Sequence, residues 1–221
     1  IRKHNGAIIA DVVGLGKSII GATVARNLDL RTLIIAPPHL VKQWEDYSIA
    51  FGVRGTMVRS RGNMKQILED YRQMHNSGEE WLVVVDEAHG FRNEYIKDYA
   101  ILHELCQGNK VLLLTATPFN NRPEDIYAMI KLFQIPSRST LQTVSSLGAE
   151  FAHWIEVYKE LRSKQRKRAI PESEAKIAID SIGQHIRKII EPLVIRRSRI
   201  DLEKIPAYKD DLKRQGIEFP R

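Results

Sequence analysis

The strongest constraint on how this chain folds is a set of short apolar runs without polar alternation. Gly6–Ala10 reads GAIIA, Thr32–Ala36 reads TLIIA, Trp81–Asp86 reads WLVVVD and Val111–Leu114 reads VLLL. A strand with one wet face alternates apolar and polar residues, whereas runs like these need cover on both faces. A weaker run covers Thr56–Arg59. Segments with helical spacing lie between them. Lys17–Leu28 offers Ile19, Ile20, Val24 and Leu28 as one predicted apolar side. A helix over His39–Ala50 follows Pro37 and Pro38, which stop the strand before it. Asn63–His75, Tyr95–Leu105 and Pro123–Phe133 complete the alternation. The pattern predicts an α/β fold, a mostly parallel sheet with helices on both faces. Such sheets bind ligands at the carboxyl ends of their strands.

Composition narrows the function classes. The formal charge of +7 favours polyanionic partners. A single cysteine excludes an internal disulfide and a cysteine-rich zinc site. Cys106 follows Leu102 and Leu105 at helical spacing, which suits core packing. No apolar run reaches the roughly 20 residues of a membrane span. The chain starts at Ile1 without a secretory signal and reads as a piece of a longer intracellular protein, cytoplasmic in a prokaryote or nuclear in a eukaryote. After Pro136 the character changes: Ser and Thr fill 137–146, and polar helical stretches cover roughly 149–168 and 173–191. Lys159, Arg162, Lys164, Arg166, Lys167 and Arg168 make the end of the first stretch basic, as either a solvated face or a nucleic-acid contact. The expected organisation is a core over 1–135, a helical protrusion over 136–192, and the end of a lobe with a linker over 193–221.

Two loops carry the chemistry. Asp11-Val-Val-Gly14-Leu15-Gly16-Lys17-Ser18 joins the first strand to the first helix. It matches the phosphate-binding loop pattern except that Asp11 stands where the first glycine is usual. Gly14 and Gly16 permit backbone angles that turn successive N–H groups into one concavity, and the helix start adds the positive end of its dipole. Lys17 would place a point charge on the β- and γ-phosphates of ATP, and Ser18 would offer a hydroxyl to Mg²⁺. In Val83-Val-Val-Asp86-Glu87-Ala-His89, two carboxylates end an apolar strand, a costly pairing without a cation. Asp86 would orient Mg²⁺, and Glu87 would orient and deprotonate the attacking water. His89 is a candidate coupling residue or a turn residue. Thr115 and Thr117 in Thr115-Ala-Thr117-Pro118 would report the γ-phosphate state from the next strand end.

The ordered set of motifs resembles helicase superfamily 2, and most closely its Swi/Snf-type DNA translocases. Members of that family carry Asp at the first loop position, as Asp11 does. Ile34-Ile-Ala-Pro37-Pro-His-Leu-Val-Lys-Gln43-Trp44, Asp86-Glu-Ala-His-Gly-Phe-Arg-Asn93, Thr115–Asn121 (TATPFNN) and Ile195-Arg-Arg-Ser-Arg199 resemble further motifs of the family in order. The resemblance implies a RecA-like P-loop NTPase lobe with helical protrusions, ATP with Mg²⁺ as cofactors, and duplex DNA as partner. It also implies a second RecA-like lobe beyond Arg221, which would bring an arginine finger, and an adenine-recognition element before Ile1. By the same similarity Pro38, His39 and Lys42 would touch one DNA phosphate, and Ser60, Arg61 and Asn63 are candidates for a second contact. Three departures stand out. The interval from Trp44 to Thr56 is short, Val12 replaces a frequent Glu, and Gly90 replaces a residue that is often basic.

The resulting expectation is the ATP-binding lobe of a double-stranded-DNA-dependent ATPase that translocates and displaces or remodels bound proteins. A superfamily 2 helicase or restriction-system motor that unwinds DNA or RNA would use the same ATP chemistry. A nucleotide-dependent binding switch without motor activity is the alternative from another class. An isolated lobe should turn over poorly.

Overall fold

In the computed structural model each predicted run becomes a strand, and one more joins them. The structure describes residues 1–12, 14–76, 78–116 and 122–197, together with Pro206 and Arg214. The strands are β1 (Gly6–Ile9), β2 (Thr32–Ala36), β3 (Thr56–Ser60), β4 (Leu82–Val85), β5 (Lys110–Leu114) and β6 (Val194–Ile195). They form a six-stranded sheet in the order β3-β2-β4-β5-β1-β6. Every pairing is parallel. Strand β6, two residues long, lies in the short run Leu193-Val194-Ile195, which is not among the predicted strands. It exists because Val194 and Ile195 align with Ile8 and Ile9 of β1.

The helices are α1 (Lys17–Leu28), α2 (Val41–Ala50), α3 (Met64–Met74), α4 (Lys97–Cys106), α5 (Pro123–Lys131), α6 (Leu147–Arg166) and α7 (Glu172–Ile190). A short 3₁₀ turn, Pro38–Leu40, leads into α2, so the helix expected from His39 begins two residues later. Adjacent strand residues point to opposite faces, and the core divides accordingly. Val83, Val85, Leu33, Ile35, Val111 and Leu113 belong to the cluster that also contains residues of α3 through α7. Leu82, Val84, Ile34, Leu112 and Leu114 face the other way, toward α1 and α2. Each fully buried aliphatic side chain contributes about 1.5–3 kcal/mol, so covering both faces is what makes a continuous apolar strand stable.

Helix α1 corrects one expectation. Its buried face is Gly21, Ala22 and Ala25, with the aliphatic stem of Lys17. Ile19, expected on the apolar side, is 44% exposed, whereas Ile20, Val24 and Leu28 are half-buried and pack against the core as expected. The reason is Trp44, which fills the space between α1 and the sheet. A Cβ on Gly21 would stand 2.9 Å from Trp44 Cη2 and 3.1 Å from Leu114 Cδ1. Only small residues let the helix approach this closely.

Helices α6 and α7 pack on each other, and α6 packs on α5. Phe151 stacks on Tyr127 with centroids 4.6 Å apart. Their apolar residues Phe151, Tyr158, Ile179, Ile182 and Ile186 join the first core cluster. Cys106 is buried in that cluster, as expected, and burial pushes its thiol pKa well up. No described helix is long and apolar enough to cross a membrane.

Packing at the start of β1 is tight. A Cβ on Gly6 would lie 2.4 Å from Phe133 Cγ and 2.8 Å from Phe133 Cβ, an atom that cannot swing away. Gly6→Ala is therefore expected to destabilise the domain by about 1–3 kcal/mol, the usual cost of overpacking. The urea midpoint measures it. An unchanged midpoint would show that Phe133 moves freely.

Candidate functional site

Parallel strands send the loops that follow them to one rim of the sheet. β1 delivers Asp11–Ser18, β4 delivers Asp86 and Glu87, and β5 delivers Thr115. The ladders run one residue past the strand ends. Asp86 N–H donates to the Ile35 carbonyl at 2.8 Å, and Thr115 N–H to the Ile9 carbonyl at 3.0 Å. Thr115 is fully buried. Thr117 lies outside the described residues.

The loop after β1 is built to present N–H groups. Gly14 has φ 86° and Gly16 has φ 71°, both in the left-handed region that glycine enters without strain. Gly16 is the N-cap of α1, with no side-chain cap and no acidic residue in the first turn. The helix start is thus left with donors and a positive dipole end, the arrangement that attracts an anion. Leu15 N–H closes the loop weakly on the Val12 carbonyl at 3.4 Å. The ammonium of Lys17 is held inside the loop, donating to the Asp11 carbonyl at 3.1 Å and the Val12 carbonyl at 3.4 Å.

Asp86 is the centre of the acidic side. It is buried, and its Oδ2 accepts from the indole N–H of Trp44 at 2.8 Å and from the Ser18 hydroxyl at 3.5 Å. Its Oδ1 accepts from the Glu87 N–H at 2.8 Å. Burial raises its pKa above the usual carboxylate value, and the charge of Glu87 adds to the rise. The Trp44 and Glu87 hydrogen bonds and the charge of Lys17 oppose it. Glu87 has φ 50° and ψ 47°, a left-handed backbone unusual for a residue with a side chain. Such a conformation costs roughly 1–3 kcal/mol and is found where a site requires it. His89 Nδ1 lies 2.9 Å from Glu87 Oε2, so the candidate coupling residue touches the candidate base directly.

Two residues at the site had no role assigned from sequence. Trp44 is one: the run ending Gln43-Trp44 marked a motif, yet nothing indicated that its indole holds Asp86. A tryptophan near a polar rim is a usable signal, because a buried indole N–H usually finds an acceptor. Asp11 is the other. Its fully buried carboxylate accepts from the Arg197 backbone N–H at 2.7 Å and from Arg197 Nε at 3.1 Å, with a further bond from Nη2. The first residue of the phosphate loop is therefore tied to the segment just past β6.

The nucleic-acid candidates fall at the same rim, on adjacent strands. Pro38 and His39 lie in the turn after β2. Lys42 is exposed and paired with Asp46 at 2.9 Å. The Ser60 hydroxyl accepts from Gly62 N–H at 3.3 Å, and Asn63 caps α3 by accepting from Gln66 N–H at 3.3 Å. Both side chains thus already shape the turn after β3. Arg61 reaches across to the Asp86–His89 loop. A Cβ on Gly90 would stand 2.7 Å from Arg61 Nη1. The departure noted at Gly90 makes room for that guanidinium.

Comparison with known proteins identifies the family and the fold. The family model described as the SNF2-related domain matches residues 62–214, more than half of the chain. An ATP-dependent helicase of Bacillus subtilis, YqhH, is 32% identical over 99% of this chain and 42% of its own length. The ATP-dependent DNA helicase DDM1 of Arabidopsis thaliana is 25% identical over 92% of this chain and 29% of its own. The SWI2/SNF2 ATPase core of Sulfolobus solfataricus, solved in complex with double-stranded DNA, matches with a TM-score of 0.59 at 21% identity. That match covers 94% of this chain and 42% of the other, and it shows the RecA-like ATPase-core fold. The chain thus spans less than half the length of these relatives.

Two stability outcomes follow from the buried carboxylates. Arg197→Ala leaves Asp11 buried without its guanidinium and is expected to cost about 3 kcal/mol in urea denaturation, the low end for a broken buried pair because Arg197 is partly exposed. A loss below about 1 kcal/mol would mean that water or another cation replaces it. The second outcome concerns pH. The pKa of Asp86 is higher folded than unfolded, so between the two values the folded state binds more protons. Its contribution therefore falls as pH rises through that window. Asp86→Asn should remove that falling component, so stability should rise more steeply with pH across the window than in the unsubstituted protein, and a profile unchanged in shape would refute the shift.

Proposed function

Because this chain belongs to the SNF2-related domain family, we propose that it forms the ATP-binding lobe of a double-stranded-DNA-dependent ATPase that translocates on DNA and remodels or displaces bound proteins. One observation supports this most: the Ser18 hydroxyl and the buried Asp86 carboxylate meet 3.5 Å apart beside an uncapped helix start that holds Lys17. The residues present fit a magnesium-bound nucleotide. The loop offers N–H donors and an ammonium where phosphates need them. Asp86, costly to ionise in its buried setting, gains a reason to stay charged from a divalent cation.

In this reading the backbone of Gly14, Leu15, Gly16, Lys17 and Ser18 holds the phosphates. Lys17 releases the loop carbonyls it now contacts and turns its charge to the β- and γ-oxygens. Ser18 and Asp86 would hold Mg²⁺, while the indole N–H of Trp44 keeps the Asp86 carboxylate from rotating. Glu87 orients the attacking water and takes its proton, and His89 at 2.9 Å senses the charge on Glu87. Magnesium–ATP, when bound, supplies a phosphoryl group whose hydrolysis is downhill. The protein's share is positioning and charge. Thr115 and Thr117 relay that state, and the turns at Pro38–Lys42 and Ser60–Asn63 grip DNA phosphates without reading sequence. A second RecA-like lobe completes the site with an arginine finger, worth roughly 10³–10⁵ in rate. The protein would work inside the cell, on cytoplasmic or nuclear DNA.

In the full-length protein, Lys17→Ala is expected to abolish ATP hydrolysis. Glu87→Gln should retain nucleotide binding while slowing turnover at least about 100-fold, the minimum for losing a general base. Near-normal turnover by that variant would remove Glu87 from the mechanism. Equal ATPase rates with and without duplex DNA would sink the translocase reading. Magnesium–nucleotide binding at acidic pH should release protons as Asp86, whose pKa burial raises, ionises. Calorimetry in two buffers of different ionisation heat measures this, and proton uptake would contradict it.

A further inference from the structure

The basic end of α6 is not used by the site described above, yet the fold gives it a definite setting. Arg162 and Arg166 form one wall of a cleft of about 650 Å³. Arg92, three residues beyond His89, and Arg122, at the entry to α5, line the same cleft. Lys159 brings the cations to five, against three carboxylates, Glu94, Glu124 and Asp125. Two of these carboxylates already have cations: Glu94 pairs with Lys131, and Glu124 with Lys159 at 3.9 Å. Burial holds Asp125 above the usual carboxylate range, while Arg92 and Arg122 pull it back. The guanidinium of Arg162 is fixed rather than free-swinging. It donates to the Tyr158 hydroxyl and to Gln165 Oε1, both at 2.9 Å. At the lip, Tyr95 is 90% exposed, a bare aromatic ring beside the cations.

Continuity identifies the ligand. Arg61, in the turn after β3, lies against Gly90, and Gly90 is two residues from Arg92. The candidate phosphate grip at Ser60–Asn63 thus reaches the edge of this cleft through Arg61, Gly90 and Arg92, a strip with a cation at each end. We propose that the nucleic-acid track of this lobe extends along that strip into the cleft, where Arg92, Arg122, Arg162 and Arg166 hold further backbone phosphates and Tyr95 offers a surface for a base or sugar. An acidic peptide would also meet the cations, but it would gain nothing from the connection to Ser60–Asn63 or from the bare ring. Contacts of this kind add affinity without sequence preference. They also set the length of DNA needed to saturate the lobe. The inference rests on the DNA-dependent reading given above.

The test uses the full-length protein and duplexes of increasing length, with affinity measured by fluorescence anisotropy across a salt series. Arg162→Glu with Arg166→Glu is expected to weaken binding on the order of tenfold and to lower the slope of log affinity against log salt by about 2, one unit per lost phosphate contact. Arg162→Lys with Arg166→Lys keeps the charges and should retain most of the slope. Should the double Glu variant fold poorly, Arg166→Ala at an exposed position should still lower the slope by about 1. Unchanged affinity and slope, with ATPase still stimulated by DNA, would overturn the extended track and leave the proposed function standing. An unchanged slope accompanied by lost binding of polyglutamate would reassign the cleft to an acidic protein segment. Failure of the unsubstituted protein to bind duplex DNA at all would instead overturn the functional reading.

Discussion

The carboxylate of Asp86 is the constraint around which this domain is arranged. Placing an anion at the buried end of an apolar strand carries a large desolvation penalty. The fold limits that penalty with an indole N–H from Trp44, a backbone N–H from Glu87 and a hydroxyl from Ser18. These donors come from a helix after β2, a turn after β4 and the helix after β1. They converge because parallel strands open their loops to one rim. A sheet with one of these strands reversed would send its loop to the opposite rim.

Trp44 links this requirement to the core. Its ring fills the space between α1 and the sheet while its indole edge meets Asp86. That dual use explains why α1 buries glycine and alanine and leaves its larger residues half-exposed. The helix carrying Lys17 and Ser18 must come close to the sheet, and Trp44 already takes up the available volume. The same economy holds at Asp11, which opens the phosphate loop and is neutralised by Arg197 beyond β6. The loop between β1 and α1 and the segment leaving the sheet are therefore joined by a buried ion pair.

Charge is distributed with the same logic along the rim. Asp86 is buried and Glu87 half-buried, where a divalent cation would satisfy the pair. Arg61, Arg92 and Arg162 are half-buried and Arg166 is exposed farther out. Arg61 against Gly90 is where the two regions touch, only three residues from Glu87. A ligand that moves Arg61 thus acts on the turn whose left-handed residue carries the candidate base.

By itself the sequence determined the parallel sheet and the phosphate loop. Unbroken apolar runs such as Val83–Val85 need cover on both faces, and Gly14, Gly16 and the start of α1 turn the loop through local backbone geometry. It also determined the ends of α1, because Gly16 and the residues around Asp29 stop a helix by local conformation. Only the tertiary structure decided that Trp44 holds Asp86, that Arg197 neutralises Asp11, that Val194–Ile195 forms a strand, and that Arg61 lies on Gly90. These pairs are separated by tens to nearly two hundred residues along the chain. Local propensity carries no information about them, because each pairing is set by where packing leaves a buried polar atom or an open edge.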